Sequence, residues 1–231
     1  MDHARLELYD CTSFDLGETI GPYIRDCIRR DPRFEERLGV SILWTGGCVS
    51  YRFSVIGVGY HGPDGLPQQG PPFATFSVTF WRGDDYNVKE GLSIHILTLL
   101  PQERVVFFET NLWMITREEI IVAMPNLEAL YIVDTVVQDD FLLPNPDGPN
   151  AHTKLLPSLQ RLYLQDAQAD WWPLARYATH QTSGNHAFSL ILLGEAIHIC
   201  PEMAGEMKRL VDEFAYDHDP RCPHRECDEE Y

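Results

Sequence analysis

Apolar and polar positions along this chain follow two periods, one of two residues and one near 3.6, which are the signatures of strands and of one-faced helices. The sharpest pattern is Leu127-Glu128-Ala129-Leu130-Tyr131-Ile132, preceded by Met124-Pro125-Asn126. It recurs as Leu159-Gln160-Arg161-Leu162-Tyr163-Leu164, preceded by Leu156-Pro157-Ser158. Both read L-x-x-L-x-L with a proline just upstream. Further strands are predicted at Leu6 to Leu8, Leu38 to Leu43, Tyr51 to Val58, Phe73 to Trp81, Val105 to Phe108 and Phe188 to Leu193, with Gly46-Gly47 turning a hairpin. Helices are predicted where Leu16, Ile20, Tyr23, Ile24, Cys27 and Ile28 share a face, around Leu92, Ile96 and Leu99, and from Thr116 to Ala123. Another follows Asp170, stopped by Ser183-Gly184. The last begins at Pro201 with Met203, Met207, Leu210, Val211 and Phe214 as its stripe. Proline and glycine density predicts long loops at 59–72 and 138–154.

Two copies of L-x-x-L-x-L identify the strand-bearing core of a leucine-rich repeat. Aligned on the upstream turn, Val78, Val106, Leu130, Leu162 and Leu190 stand 28, 24, 32 and 28 residues apart. One strand with one helix cannot bury its apolar face alone, so stacked copies must cover one another. The expected fold class is α/β, a leucine-rich-repeat-like curved solenoid with a parallel sheet on one face and helices on the other. The expected organisation is 1–100, irregular N-terminal repeats with the hairpin and the Pro/Gly loop; 101–215, the repeat region; and 216–231, an acidic, loose tail.

The chain has 231 residues, 44% of them hydrophobic and 11% aromatic, enough for a substantial core. Its formal net charge of -17 repels phosphate backbones and anionic bilayers, so neither nucleic acid nor a membrane is expected as a partner; a basic protein is compatible. No apolar run reaches the roughly 18 residues of a membrane span. Met1-Asp2-His3-Ala4-Arg5 lacks the pattern of a secretory leader, so a cytoplasmic or nuclear protein with its six cysteines as thiols is expected.

The repeats, together with Thr179-His180-Gln181-Thr182-Ser183-Gly184, His198-Ile199-Cys200-Pro201-Glu202 and Leu210-Val211-Asp212-Glu213-Phe214, make the chain resemble the F-box and leucine-rich-repeat proteins of basidiomycete fungi. The stretch Ile20-Gly21-Pro22-Tyr23-Ile24-Arg25-Asp26 is compatible with it. The resemblance implies a recognition domain, or the substrate-receptor portion of a cullin-type ubiquitin ligase. An F-box is a helical segment ahead of the repeats, and this chain instead enters a strand within a few residues of Met1. An uncapped first repeat then predicts a fragile or self-associating N-terminus.

No enzyme motif holds. Gly57-Val58-Gly59-Tyr60-His61-Gly62 spells a dinucleotide fingerprint, but Pro63-Asp64-Gly65 cannot open the helix that would hold a pyrophosphate. Cys222, Cys227, His218 and His224 have the donor types of a zinc site without its usual spacing. His198 and Cys200 lack an orienting third group. No catalytic residue, cofactor or metal is therefore expected. The sharper expectation concerns the middle residue of each L-x-L, which a strand points away from the leucines. Thr79, Phe107, Tyr131, Tyr163 and Ile191 would form one ladder, with Arg161 beside Tyr163, and aromatics with an arginine are common interface anchors. The competing reading is cross-strand packing, with the ladder covered. Trp171-Trp172 beside Asp170 predicts one buried and one exposed tryptophan.

Overall fold

Strand-forming segments dominate both halves of the chain, but they pair differently in each. The computed structural model describes residues 3–9, 22–23, 25–26, 29–30, 37–45, 48–55, 75–81, 101–111, 120, 124–137, 141, 156–183, 187–194, 199 and 201–216. It is an α/β fold with mostly parallel strand pairing, divided into two compact units, residues 1–128 and 129–231. The motifs at Gly57–Gly62 and Cys222–Cys227, the residues His198 and Cys200, the helix around Ile96, the loop 59–72, nearly all of 138–154 and the tail past Tyr216 lie outside the described residues.

The first unit contains β1 (His3–Tyr9), β2 (Leu38–Thr45), β3 (Cys48–Val55), β4 (Thr75–Trp81) and β5 (Val105–Thr110), in the order β1-β4-β3-β2-β5. β2 and β3 pair antiparallel with Thr45 opposite Cys48, on either side of Gly46-Gly47, which lie outside the described residues. β3 and β4 are also antiparallel, whereas β1 lies parallel to β4 and β5 parallel to β2. Leu38, Val40 and Ile42 alternate into the core, and β5 buries Val105, Val106, Phe107 and Phe108 in succession. Four consecutive buried residues place apolar groups on both faces, the habit of a parallel strand covered on two sides. Leu38 faces Val105 but Gly39 faces Phe107, so Val106 is the extra residue of a bulge.

This pairing corrects one expectation. Thr79 lies opposite Glu7 on β1 and Ser50 on β3, and β3 and β2 separate its strand from β5. A connection as short as that from Thr45 to Cys48 permits only antiparallel neighbours, and the meander β2-β3-β4 takes the place that a stacked parallel repeat would have held. Elsewhere in this unit Pro22, Tyr23, Arg25, Asp26, Arg29 and Arg30 are helical, within the predicted first helix. Asp26 accepts from Arg29 at 3.0 Å and Arg30 at 2.5 Å, the i+3 and i+4 partners that a helix brings to one side.

The second unit is parallel throughout its described pairs. β6 (Ala129–Val133), β8 (Arg161–Gln165), β10 (Ser189–Leu193) and β11 (Glu213–Tyr216) follow one another in sequence and in space, and a short ladder joins β7 (Val136–Val137) to β9 (Gln168–Ala169). Helix α1 (Trp171–Thr182) links β9 to β10, and α2 (Pro201–Leu210) links β10 to β11. Pro173 sits in the first turn of α1, where its missing N–H is not needed, and Leu174 donates the first helical bond to the Asp170 carbonyl. The helix buries Leu174, Tyr177, Ala178 and Gln181 on one side. Gln181 is a buried polar group with both of its amide hydrogens placed, one on the Leu156 carbonyl at 3.2 Å and one on the Tyr177 hydroxyl at 2.9 Å. It ties the helix end to the proline turn ahead of β8.

The final helix is shorter than its stripe predicts. It ends at Leu210, and Phe214 belongs to β11, opposite Leu190. Asp212 breaks the helix: its N–H donates to the Phe188 carbonyl at 3.0 Å, and its carboxylate accepts from the Phe188 N–H at 2.7 Å. The two residues hold each other in a reciprocal clasp that only an extended chain can make.

Candidate interaction surface

The strand register sorts the second unit into rows. Leu130, Leu162, Leu190 and Phe214 stand opposite one another, at intervals of 32, 28 and 24 residues. The next row is Tyr131, Tyr163, Ile191 and Ala215, and the next Ile132, Leu164, Leu192 and Tyr216. All six apolar positions of the two L-x-x-L-x-L motifs are buried, Leu127, Leu130 and Ile132 in one and Leu159, Leu162 and Leu164 in the other. Each is entered through the same turn, in which the residue after the proline pair closes back: Leu127 donates to the Met124 carbonyl at 3.2 Å and Leu159 to the Leu156 carbonyl at 3.0 Å. Proline at the second position supplies the φ that such a turn requires.

The exits repeat as well. Asp134 after β6, Asp166 after β8 and Gly194 after β10 have φ of 48°, 50° and 83°. The Asp134 and Asp166 amides each donate across to the end of the next strand, to the carbonyls of Gln165 and Leu193, both at 2.9 Å. Aspartate is among the few side-chain-bearing residues that tolerate this left-handed region. Gly194 is required twice over, by its φ and by space: a Cβ there would lie 1.9 Å from Asp166 Oδ1.

The ladder predicted to face outward is largely enclosed. Tyr163 and Ile191 are each 1% exposed and Phe107 6%, while Tyr131 and Arg161 are half-buried. Because adjacent side chains on a strand take opposite faces, burial of Tyr163 together with Leu162 and Leu164 means that both faces of β8 are covered. Of the two readings of this row, an exposed interface and covered cross-strand packing, the burial favours packing for Tyr163 and Ile191. Tyr131 and Tyr163 stack with ring centroids 3.8 Å apart and planes 16° from parallel. The register brings Tyr131, Tyr163 and Ile191 together, with Arg161 at the start of β8 beside Ala129 and Ser189. Phe107 lies in the first unit opposite Gly39, and Thr79 stands apart on β4.

A different set of residues stands exposed in the second unit. Trp172, 73% exposed, and Val136, 53% exposed, are the large apolar side chains most open to water among the described residues. Val136 is on β7 opposite Gln168 of β9, and Trp172 is three residues beyond Ala169 in the first turn of α1. Asp134, Asp166 and Asp170 are exposed along the same rim, past the carboxyl ends of β6 and β8. Trp171, by contrast, is half-buried. The Trp-Trp pair was the only sequence signal for this rim. Val136 gave none, because an exposed valine after a strand reads as the strand's own continuation.

Among the described residues no group of histidine, cysteine or carboxylate side chains is arranged to hold a metal, and no helix is long and apolar enough to cross a membrane. No protein-family model, no curated protein and no solved structure matches the chain.

Proposed function

We propose that this chain is a non-catalytic protein-recognition scaffold of leucine-rich-repeat type, a curved solenoid in its second unit. The observation that carries the reading is the coincidence of three recurrences in one register: the proline turn, the L-x-L strand and the left-handed exit, at unequal sequence intervals. Unequal intervals with an unbroken register are the habit of repeats, in which insertions gather on one side and the stacked strands stay aligned. The buried aromatic row serves here as cohesion between repeats, which leaves the exposed turns at the strand ends to meet a partner.

Two experiments test this. In the first, a chain ending at Gly194 lacks α2 and β11. A solenoid then keeps a folded remainder with a smaller denaturant slope, since stability is close to a sum over neighbours; complete loss of cooperative unfolding counts against it. In the second, the immobilised protein is exposed to a lysate of its source cells. The reading expects a saturable partner absent from a heat-denatured control, and equal retention by both sinks it.

A further inference from the structure

The exposed rim of the second unit carries the recognition reading further, and the surface inferred there rests on that reading. We infer that Trp172, Val136, Asp134 and Asp166 form a docking surface for an extended segment of a partner protein rich in arginine or lysine. Val136 and Trp172 offer apolar area that nothing in the described chain covers. Asp134 and Asp166 occupy equivalent places on adjacent parallel strands, so their backbones stand about 4.8 Å apart. Among the described residues neither carboxylate pairs with a basic side chain. A guanidinium has five donors in a planar fork and can be shared by carboxylates borne on neighbouring strands, while the face of an exposed indole accepts the next cation along. Asp170 offsets the partial positive charge of the α1 N-terminus, where it is the N-cap without a side-chain bond. Arg176, exposed one turn beyond Trp172, is the single described cation on this stretch of helix, so carboxylates outnumber cations along the rim.

Charge selects the occupant. A second copy carries the same net charge of -17, and the chain's own segment from Asp217 to Tyr231 holds six Asp/Glu against two arginines. Both are repelled from an acidic rim, and a nucleic acid is repelled more strongly still. A basic peptide is attracted at long range and held at short range by the two aspartates and the tryptophan.

The test uses the full chain and a fluorescein-labelled octapeptide of alternating arginine and glycine, followed by anisotropy at low salt. Trp172→Ala is expected to weaken binding about two- to fivefold. Asp134→Asn/Asp166→Asn is expected to weaken it about tenfold, asparagine being the substitution best suited to the left-handed backbone. Glu103→Gln/Glu213→Gln, which removes two exposed carboxylates elsewhere, should change it less than about twofold. Circular dichroism confirms that each variant is folded. Equal weakening by the two double variants reduces the attraction to diffuse charge and overturns the proposal, as does an unchanged Trp172→Ala or no binding by the wild type. A lysate partner held equally by wild type and rim variant refutes this surface while leaving the recognition reading intact, and a wild type that retains no partner refutes both.

Discussion

The two units solve the same problem, joining strands into a sheet, by opposite means. Between Leu38 and Trp81 the first unit uses antiparallel neighbours close in sequence, with Thr45 opposite Cys48. From Ala129 onward the second carries the chain back after each long strand and lays every described neighbour parallel. In the first unit register follows from the short connection between Thr45 and Cys48. In the second no turn is short enough to set it, and side-chain rows do so instead: leucine against leucine, tyrosine against tyrosine. A one-residue slip would turn every leucine of β8 to the tyrosine face. Periodicity is therefore visible in the sequence of the second unit and faint in the first, because only the second depends on it.

Five substitutions put this contrast at risk. Tyr163→Ala carries the largest expected effect, a loss of about 3–5 kcal/mol, because it empties a fully buried site and ends the stack with Tyr131. Native-state hydrogen exchange should show faster exchange at the amides of β6 and β10 together, with the β2–β3 hairpin unaffected. Equal loosening of the hairpin would show that rows do not hold the second unit separately.

Gly194→Ala comes next, with a cost of about 1–3 kcal/mol from the left-handed backbone and the collision with Asp166. Asp166→Gly, at the equivalent exit, removes rather than adds strain and should shift the urea midpoint little in either direction. Similar destabilisation by both variants would mean that the exits are not equivalent. Gln181→Met keeps the volume but leaves the Leu156 carbonyl and the Tyr177 hydroxyl without this donor, for an expected loss of about 1–3 kcal/mol in chemical denaturation. A neutral outcome would mean that the proline turn does not depend on α1.

The smallest expected loss from a broken contact belongs to the first unit. Arg37 and Glu128 form an ion pair with both side chains about one-third exposed. Arg37→Ala should cost under about 1 kcal/mol, and the difference from wild type should shrink as salt is raised. A larger, salt-insensitive loss would show that this pair holds Glu128, whose amide also donates to the bulged Val106 carbonyl, more firmly than its exposure implies.

Much of the second unit was legible residue by residue. The six leucine-type positions of the two motifs, the hairpin glycines of the first unit and the start of α2 at Pro201 are local signals, and local physics decides them. Phe214 was not legible as a strand residue, because it lies three residues past Val211 and fits a helix equally well. What overrides the helix is the clasp between Asp212 and Phe188, a contact across 24 residues. Yet Val211-x-x-Phe214-x-Tyr216 spells a weak L-x-x-L-x-L, and the 24-residue step from Leu190 would have found it. Strand alternation puts Tyr131, Tyr163 and Ile191 in one row, and the burial of Tyr163 and Ile191 favours cross-strand packing over an exposed interface there. Strand alternation says which side chains share a face, and it is silent on whether that face is covered. Thr79 was misplaced because alternation carries no information about which strand lies next door.

The unequal spacing of the rows has a practical meaning. Leu130 to Leu162 takes 32 residues and Leu190 to Phe214 only 24, yet each pair stands side by side. The length of the return path is thus decoupled from the alignment it serves. Loop closure depends on the logarithm of length, so the difference between the longest and shortest paths costs only about 0.3 kcal/mol. Length added to the sequence between Val137 and Leu156 is therefore expected to cost little in loop closure. A reporter peptide or an affinity tag placed there should leave Leu162 opposite Leu130, which makes the second unit a ready frame for display.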